Sequence, residues 1–381
     1  MNAIANFYTI FWMIYFPTCI AYNDLPGFGH VDEYMTVILM VFTLIAQGWK
    51  GINRRPWKEF LFFLGVLAFY IIYSLIMAVN VSEAVWYDCI QQIRPYSILY
   101  CTWILNPNFS KLQKKLMVGV MLITFFAFIF FNPIVGEERN APLGQLAMCT
   151  AMTYYLFTDQ TKDNLWISAV IAIIGLLSMK FKYYGEFGAW MFMLFYMKAK
   201  FHPRKSGFLF KIALLGFIVL MLGWDRFDAY YVSGIDDEEL ARPMMYKASW
   251  QILLDYIPFG SGLGTFGTAA AAVYYTPLMY EYDLNGIWGL DGAGGFMCDA
   301  FYVTFAQIGF AGIIIFCMFW IKRLKQFYQI IDMRYYKVAM MCFFCLAIES
   351  TADSSYLSGK GMGFFMLIAI CLNANRLRFK G

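Results

Sequence analysis

Charge is scarce in this chain: Asp, Glu, Lys and Arg make up 14% of its 381 residues, where a soluble globular protein carries roughly a quarter. With 61% of the residues apolar, a water-soluble fold has too little polar surface to cover its interior. A concentrated basic tract is also missing. The net charge is +4 and the cations are spread over short loops, which excludes nucleic acid as a partner. The short alternating strands of a membrane β-barrel are absent, and no internal repeat points to an inverted-repeat secondary transporter. Low-complexity tails are lacking as well, so the chain reads as a single domain over 1–381. The first apolar run, 3–22, has neither a basic n-region nor a small-residue cleavage site and is expected to stay attached as the first span. Nine cysteines are present, but Cys19, Cys101, Cys149, Cys317, Cys342, Cys345 and Cys371 lie in apolar runs without ligand spacing. Cys89 and Cys298 fall near expected span ends, and a bridge between them is left open.

What the sequence does have is apolar blocks near the ~20 residues that a helix needs to cross a bilayer. Candidate spans are 3–22, 33–49, 59–79, 86–105, 116–132, 143–158, 165–180, 184–198, 208–224, 299–320, 338–353 and 361–375. The expected fold is therefore all-α, a polytopic helical bundle of about twelve transmembrane helices. Twelve crossings put Lys50, Arg54, Arg55 and Lys58 on one face with Lys111, Lys114, Lys115, Lys198, Lys200, Arg204 and Lys205. Lys322, Arg323, Lys325, Arg334, Lys337, Arg376, Arg378 and Lys380 fall on that face too. Because Lys and Arg accumulate in short cytoplasmic loops, both termini are expected in the cytoplasm.

One loop on the opposite face is far longer than the others, running over 225–298 between the expected ninth and tenth spans. It holds ten acidic residues, among them Asp236, Asp237, Glu238 and Glu239, and only Arg226, Arg242 and Lys247 as cations up to Met297. It is rich in Tyr and Trp, including Tyr230, Tyr246, Trp250, Tyr274, Tyr280 and Trp288. Rings that stack on sugar faces and carboxylates that accept hydroxyl hydrogen bonds suit a glycan ligand, although an interfacial belt accounts for part of the aromatic content.

The remaining charges gather, by the same topology, at the outer boundary. Lys180, Lys182 and Glu186 stand at the junction of the seventh and eighth spans, and Glu349, Asp353 and Lys360 at that of the eleventh and twelfth. Arg94 lies in the fourth span, Arg139 precedes the sixth, and Arg242 is in the long loop. A charge at membrane depth costs about 2.5–3.5 kcal/mol on insertion scales, so such groups face a cavity or a partner. Cations clustered at one boundary read as an anion site. Plainer alternatives stay open: Lys180 and Lys182 snorkelling to the interface, Arg94 anchoring a helix end beside Pro95, and Arg139 pairing with Glu137 or Glu138. Glu349 and Asp353, spaced i, i+4, are expected on one helix face, as a polar lining or as a structural pair with Lys360.

From Ala241 the chain reads ARPMMYKASWQILLDYIPFGSGLGTFG, and later CDAFYVTFAQIGFAG over 298–312. This resembles the signature of the O-antigen polymerase and O-antigen ligase superfamily. The matching positions are Arg242, Tyr246, Pro258, Gly260, Gly262, Gly264, Thr265, Phe266, Gly309 and Gly312. Pro258 ends a helix, and the glycines allow tight turns with amides available to an oxygen-rich ligand. The resemblance implies glycosyl transfer at the outer leaflet of a bacterial inner membrane. A polyprenyl-diphosphate-linked oligosaccharide would be donor and acceptor, membrane lipid would surround the chain, and a chain-length regulator protein would be a further partner. It also implies metal-independent chemistry without a cofactor, in which cations meet the departing diphosphate.

On that reading Arg242 and Asp299 are the catalytic candidates. Arg94, Arg139, Lys180, Lys182, Glu186, Tyr246, Gly262, Gly264, Glu349 and Asp353 are candidates for holding substrate. Many members carry an Arg near the end of the seventh span, where this chain offers Lys180 or Lys182, which keep the charge without the bidentate fork. Ligases of the family have His-Asn where this chain has Cys298 and Asp299, and the only histidines here are His30 and His202. Asp299 is then the candidate general base, a helix N-cap being its plain alternative. The favoured expectation is a polymerase of lipid-linked repeat units of O-antigen, capsule or exopolysaccharide. A ligase passing glycan to another acceptor is the alternative within the family, and a lipid-linked sugar flippase or transporter the one outside it.

Overall fold

The computed structural model describes residues 3–24, 30–131, 141–201, 240–292 and 295–377, and every regular element among them is helical. Helices α1 (Ala3–Asp24), α2 (Val31–Ile45), α3 (Trp57–Met77), α4 (Ser82–Leu105), α5 (Lys111–Phe131), α6 (Ala141–Phe157), α7 (Lys162–Ile174) and α8 (Phe181–Met191) come first. After them come α9 (Ala241–Asp255), the short α10 (Ala269–Val273) and α11 (Leu278–Glu281), then α12 (Phe305–Gln329), α13 (Met333–Glu349) and α14 (Gly359–Leu377). Each apolar run picked out above coincides with a helix except 208–224, which lies outside the described residues. Among the described residues four helical stretches are long and apolar enough to cross a membrane: Val31–Gly48, Trp57–Met77, Lys111–Phe130 and Phe301–Gln329.

Local chemistry sets several boundaries. Thr161 caps α7 by accepting from the Asn164 amide, and Asp332 caps α13 by accepting from that of Arg334. At the far end of α13, the Ser350 hydroxyl donates to the Leu346 carbonyl and the Thr351 hydroxyl to that of Ile348, the local competition by which Ser and Thr favour helix ends.

The bundle is organised around α14, which packs on α4 and α13 and is buried from Met362 to Cys371. Outer helices have one buried and one bare apolar face. On α3, Leu67 and Tyr70 are buried while Phe62, Ile72 and Ile76 are exposed; on α5, Met117, Met121 and Phe125 are buried while Ile123 and Phe130 are exposed. Apolar area of this extent is not left in water by a soluble monomer, and it suits a hydrocarbon solvent.

The helices have chemically different ends. α12 follows Asp299 after a 3-10 turn and runs past Lys322, Arg323 and Lys325; α13 starts beside Arg334 and stops at Glu349; α8 starts beside Lys182 and leads toward Lys198 and Lys200. At a rise of about 1.5 Å per residue, the 25 residues of α12 separate its ends by more than the ~30 Å of a hydrocarbon core. The basic loops thus lie at one end of the bundle and the mixed acid–base groups at the other.

The glycine motif joins the segment 240–292 to the bundle. Gly309 has φ +61°, a break within α12, which leaves the Ala306 and Gln307 carbonyls to accept from the amides of Ser261 and Gly262, each at 3.0 Å. A Cβ on Gly309 would stand 2.3 Å from the Gly260 nitrogen. The two glycine patterns therefore form one backbone-to-backbone docking contact. Above it, Met245, Ile252, Phe266, Leu278 and Leu290 form a separate small core.

Candidate active site

Three chain segments meet over the 349–360 turn. Lys182, in the first turn of α8, holds Glu349 Oε2 at 2.5 Å and Asp353 Oδ2 at 3.2 Å, and its Nζ lies 3.4 Å from the Ala352 carbonyl. Lys360 Nζ approaches Asp353 Oδ2 at 3.6 Å. On the other side the Arg242 guanidinium donates to Asp299 Oδ2, and the Tyr246 hydroxyl donates to the Thr351 carbonyl at 2.9 Å. Glu186 is fully buried, with Glu349 and Lys182 as its nearest charged neighbours. Asp299 feels the charges of Asp353 and Lys182. Lys182, Glu186, Arg242, Tyr246, Asp299, Glu349 and Asp353, spread over more than 170 positions of sequence, are thus one neighbourhood.

Its charge differs from the anion site expected above. Lys182, Arg242 and Lys360 are gathered together with Glu186, Asp299, Glu349 and Asp353, so among the described residues carboxyl groups, not cations, make up most of the neighbourhood. The physical reason is the cost of burial: the Lys182 and Arg242 side chains are only 12% and 18% exposed, and cations so withdrawn from water require counter-charges. Asp299 precedes the Phe301–Gln329 span, and its side chain retains 29% exposure. Burial pushes its carboxyl above the ordinary value, against the opposing pull of the Arg242 guanidinium. It is not a helix N-cap; Ala300 holds that position ahead of the 3-10 turn Phe301–Thr304.

Several expected roles change. Glu349 and Asp353 do not share a helix face, because α13 ends at Glu349 and Asp353 lies in the turn beyond; Lys182 rather than helical spacing brings them together. Arg94 is committed to structure. Its guanidinium donates to Asp32, to Glu33 at 3.0 Å and to the Leu357 carbonyl at 3.1 Å, and it is 3% exposed, so it clamps the first turn of α2 to the 349–360 turn.

The Gly262 and Gly264 amides, expected to face a ligand, face inward. Gly262 N bonds the Gln307 carbonyl at 3.0 Å and Gly264 N bonds Asp88 Oδ2 at 2.8 Å. Leu263 N takes Ser74 Oγ at 2.7 Å and Thr265 N takes Gln307 Oε1 at 2.8 Å. The motif is a docking turn, because a buried turn must satisfy its own amides. Lys180 is half-buried immediately before α8, Arg139 lies outside the described residues, and Cys89 and Cys298 are both free thiols.

The sequence did not single out Gln145 and Ser355. Gln145 Nε2 donates to Ser355 Oγ at 2.5 Å, and Ser355 Oγ donates to Asp353 Oδ1 at 2.5 Å, which orients the carboxylate between Lys182 and Lys360. A lone Gln in an apolar helix was the available signal. Among the described residues no group of three or more His, Cys, Asp or Glu is placed to hold a metal ion. Chemically, the neighbourhood offers a partly exposed carboxylate hydrogen-bonded to an Arg, with a Lys and two more carboxylates beside it. No protein-family model matches this sequence, and no curated protein matches it.

Proposed function

We propose that this chain is a membrane glycosyltransferase that polymerises oligosaccharide repeat units carried on a polyprenyl diphosphate. The reading takes the chain as a bundle of about twelve crossings in a bacterial inner membrane, with both termini cytoplasmic and the 225–298 segment on the outer side. The Arg242–Asp299 pair carries it, seated beside Lys182, Glu349 and Asp353 at the bundle end opposite the basic loops.

In the proposed reaction an acceptor hydroxyl attacks the anomeric carbon of the donor's reducing-end sugar. The bond from that carbon to the phosphate oxygen breaks, and the lipid diphosphate leaves with the electron pair. Asp299 takes the hydroxyl proton, a task favoured by a carboxylate raised above its ordinary pKa. Arg242 and Lys182 turn from their carboxylates to the diphosphate oxygens, which carry more charge and accept the same hydrogen bonds. Glu349 and Asp353 are left to accept from sugar hydroxyls.

Separate Arg242→Gln and Lys182→Gln substitutions test this on glycan gels. Loss of long chains with single repeat units retained is the expected result. Loss of all attached glycan assigns a ligase instead, and lipid-linked units accumulating on the cytoplasmic side assign a flippase. An unchanged ladder in both variants removes the site from the reaction.

A further inference from the structure

A second feature has its charged mouth at the opposite end of the bundle. Between α3, α4 and α12 runs a cavity of about 470 Å³, open to the outer surface of the bundle and walled mainly by apolar side chains such as Phe62, Val66, Tyr96, Ile315 and Phe319. Along α12 and its N-cap the lining runs from Thr304 to Arg323, and along α3 from Lys58 to Tyr70. At ~1.5 Å per residue the α3 wall is about 18 Å and the α12 wall about 28 Å long, enough to take an acyl chain spanning the ~15 Å of one leaflet of a ~30 Å hydrocarbon core.

One end of the groove is charged. Lys58, Lys322, Arg323 and Glu59 all line it, three cations against one carboxylate. Arg323 is fully buried, donates through Nη2 to Glu59 and stacks its guanidinium 4.7 Å from the Trp103 ring. Its Nε and Nη1 have no hydrogen-bond partner. Lys322 Nζ lies 3.0 Å from Glu59 Oε1 with its side chain 55% exposed, and Lys58 is exposed. Glu59 is therefore already shared by two cations, and the mouth of the groove keeps an excess of positive charge. Buried donors left unsatisfied beside it ask for an acceptor.

We infer that this groove is a binding site for an anionic phospholipid, its phosphate between Lys58, Lys322 and Arg323 and one acyl chain lying between α3 and α12. The groove is long enough to hold a chain of one leaflet. The sign of the charge selects an anionic head group, and its place among the basic loops fits the leaflet on that side, where juxtamembrane cations meet anionic lipid. The charged mouth lies at the helix end opposite Asp299, while the apolar inner end of the groove reaches Phe301 and Thr304; the inference does not rest on glycosyl transfer.

Native mass spectrometry of the full chain in detergent tests it with phosphatidylglycerol and phosphatidylcholine of identical chains. The wild type is expected to retain phosphatidylglycerol preferentially. Lys58→Gln with Lys322→Gln should weaken that lipid about 25-fold, from two surface cations, and leave phosphatidylcholine unchanged. Val66→Trp, which fills the groove and keeps every charge, should weaken both lipids. The inference is overturned by equal retention of the two lipids, or by full phosphatidylglycerol binding in the double variant. Displacement by an equal concentration of inorganic phosphate overturns it too, since that is an ion site without a chain. So does a polyprenyl phosphate that outcompetes phosphatidylglycerol equally in wild type and double variant, which assigns the groove to an isoprenoid.

Discussion

At the scale of single residues, two arginines that look alike in sequence have different surroundings. Arg94 is enclosed by Asp32, Glu33 and the Leu357 carbonyl with 4% of its side chain exposed, whereas Arg242 meets Asp299 in a partly open setting. Removing one partner of a buried pair strands the other, at a cost of about 3–5 kcal/mol. Arg94→Gln is therefore expected to lower the thermal midpoint of the detergent-solubilised protein markedly, and Arg242→Gln, whose partner Asp299 keeps 29% exposure, to lower it less. Activity should separate them the other way. Asp299 must be ionised to accept a proton, and burial raises its pKa, so the rate of chain extension in membranes should fall as the pH drops through a value above the ordinary ~3.9 of aspartate. Arg242 holds that value down, so whatever rate survives in Arg242→Gln should lose activity at a higher pH than the wild type. Asp299→Asn should cost about 10²–10⁴ in rate and abolish the acid limb. An acid limb unmoved in Arg242→Gln would separate the pair from catalysis.

At the scale of elements, the glycine turn shows what a motif conveys and what it withholds. Gly264 has φ +72°, and a Cβ there would stand 2.5 Å from the Ala84 carbonyl oxygen; backbone on α4 has no room to retreat. Gly264→Ala is expected to destabilise the fold by well over the ~1 kcal/mol of an ordinary glycine effect. Gly65→Ala, on an exposed turn of α3 with nothing within 4 Å, should be neutral or slightly stabilising, since alanine favours helix. Thermal shifts of the two variants measured side by side check this; similar shifts would mean that the turn is not docked as described. The spacing of Gly260, Gly262 and Gly264 after Pro258 pointed to a tight turn, but the break at Gly309 inside the expected 299–320 span was not legible. Nor did the spacing reveal where the amides point, because that depends on Ser74, Asp88 and Gln307, which arrive from distant segments. The same holds for Glu349 and Asp353: their spacing suggested one helix face, yet the polar stretch beginning at Ser350 stops the helix between them, and Lys182 supplies the contact.

At the scale of the whole molecule, the helices were legible because apolar runs of membrane length leave few other structures open to the backbone. The grouping of Lys182, Arg242 and Asp353 at one end was legible in part, because each lies next to a span boundary. The excess of carboxyl groups was not, since pairing is a property of packed neighbours. The separation of basic loops from the acid–base neighbourhood at opposite helix ends makes one further prediction, about the direction in which the bundle stands in the membrane. Lys115 is exposed at the start of α5 and Asn285 is exposed beyond α11, so a cysteine at either position reaches solvent without disturbing the core. If Lys and Arg mark the cytoplasmic side, a membrane-impermeant maleimide should label Asn285→Cys in intact cells and reach Lys115→Cys only after permeabilisation, each against the wild-type cysteine background. The reverse pattern would set Arg242 and Asp299 in the cytoplasm, facing away from any donor displayed on the outer leaflet, and polymerisation there could not be sustained.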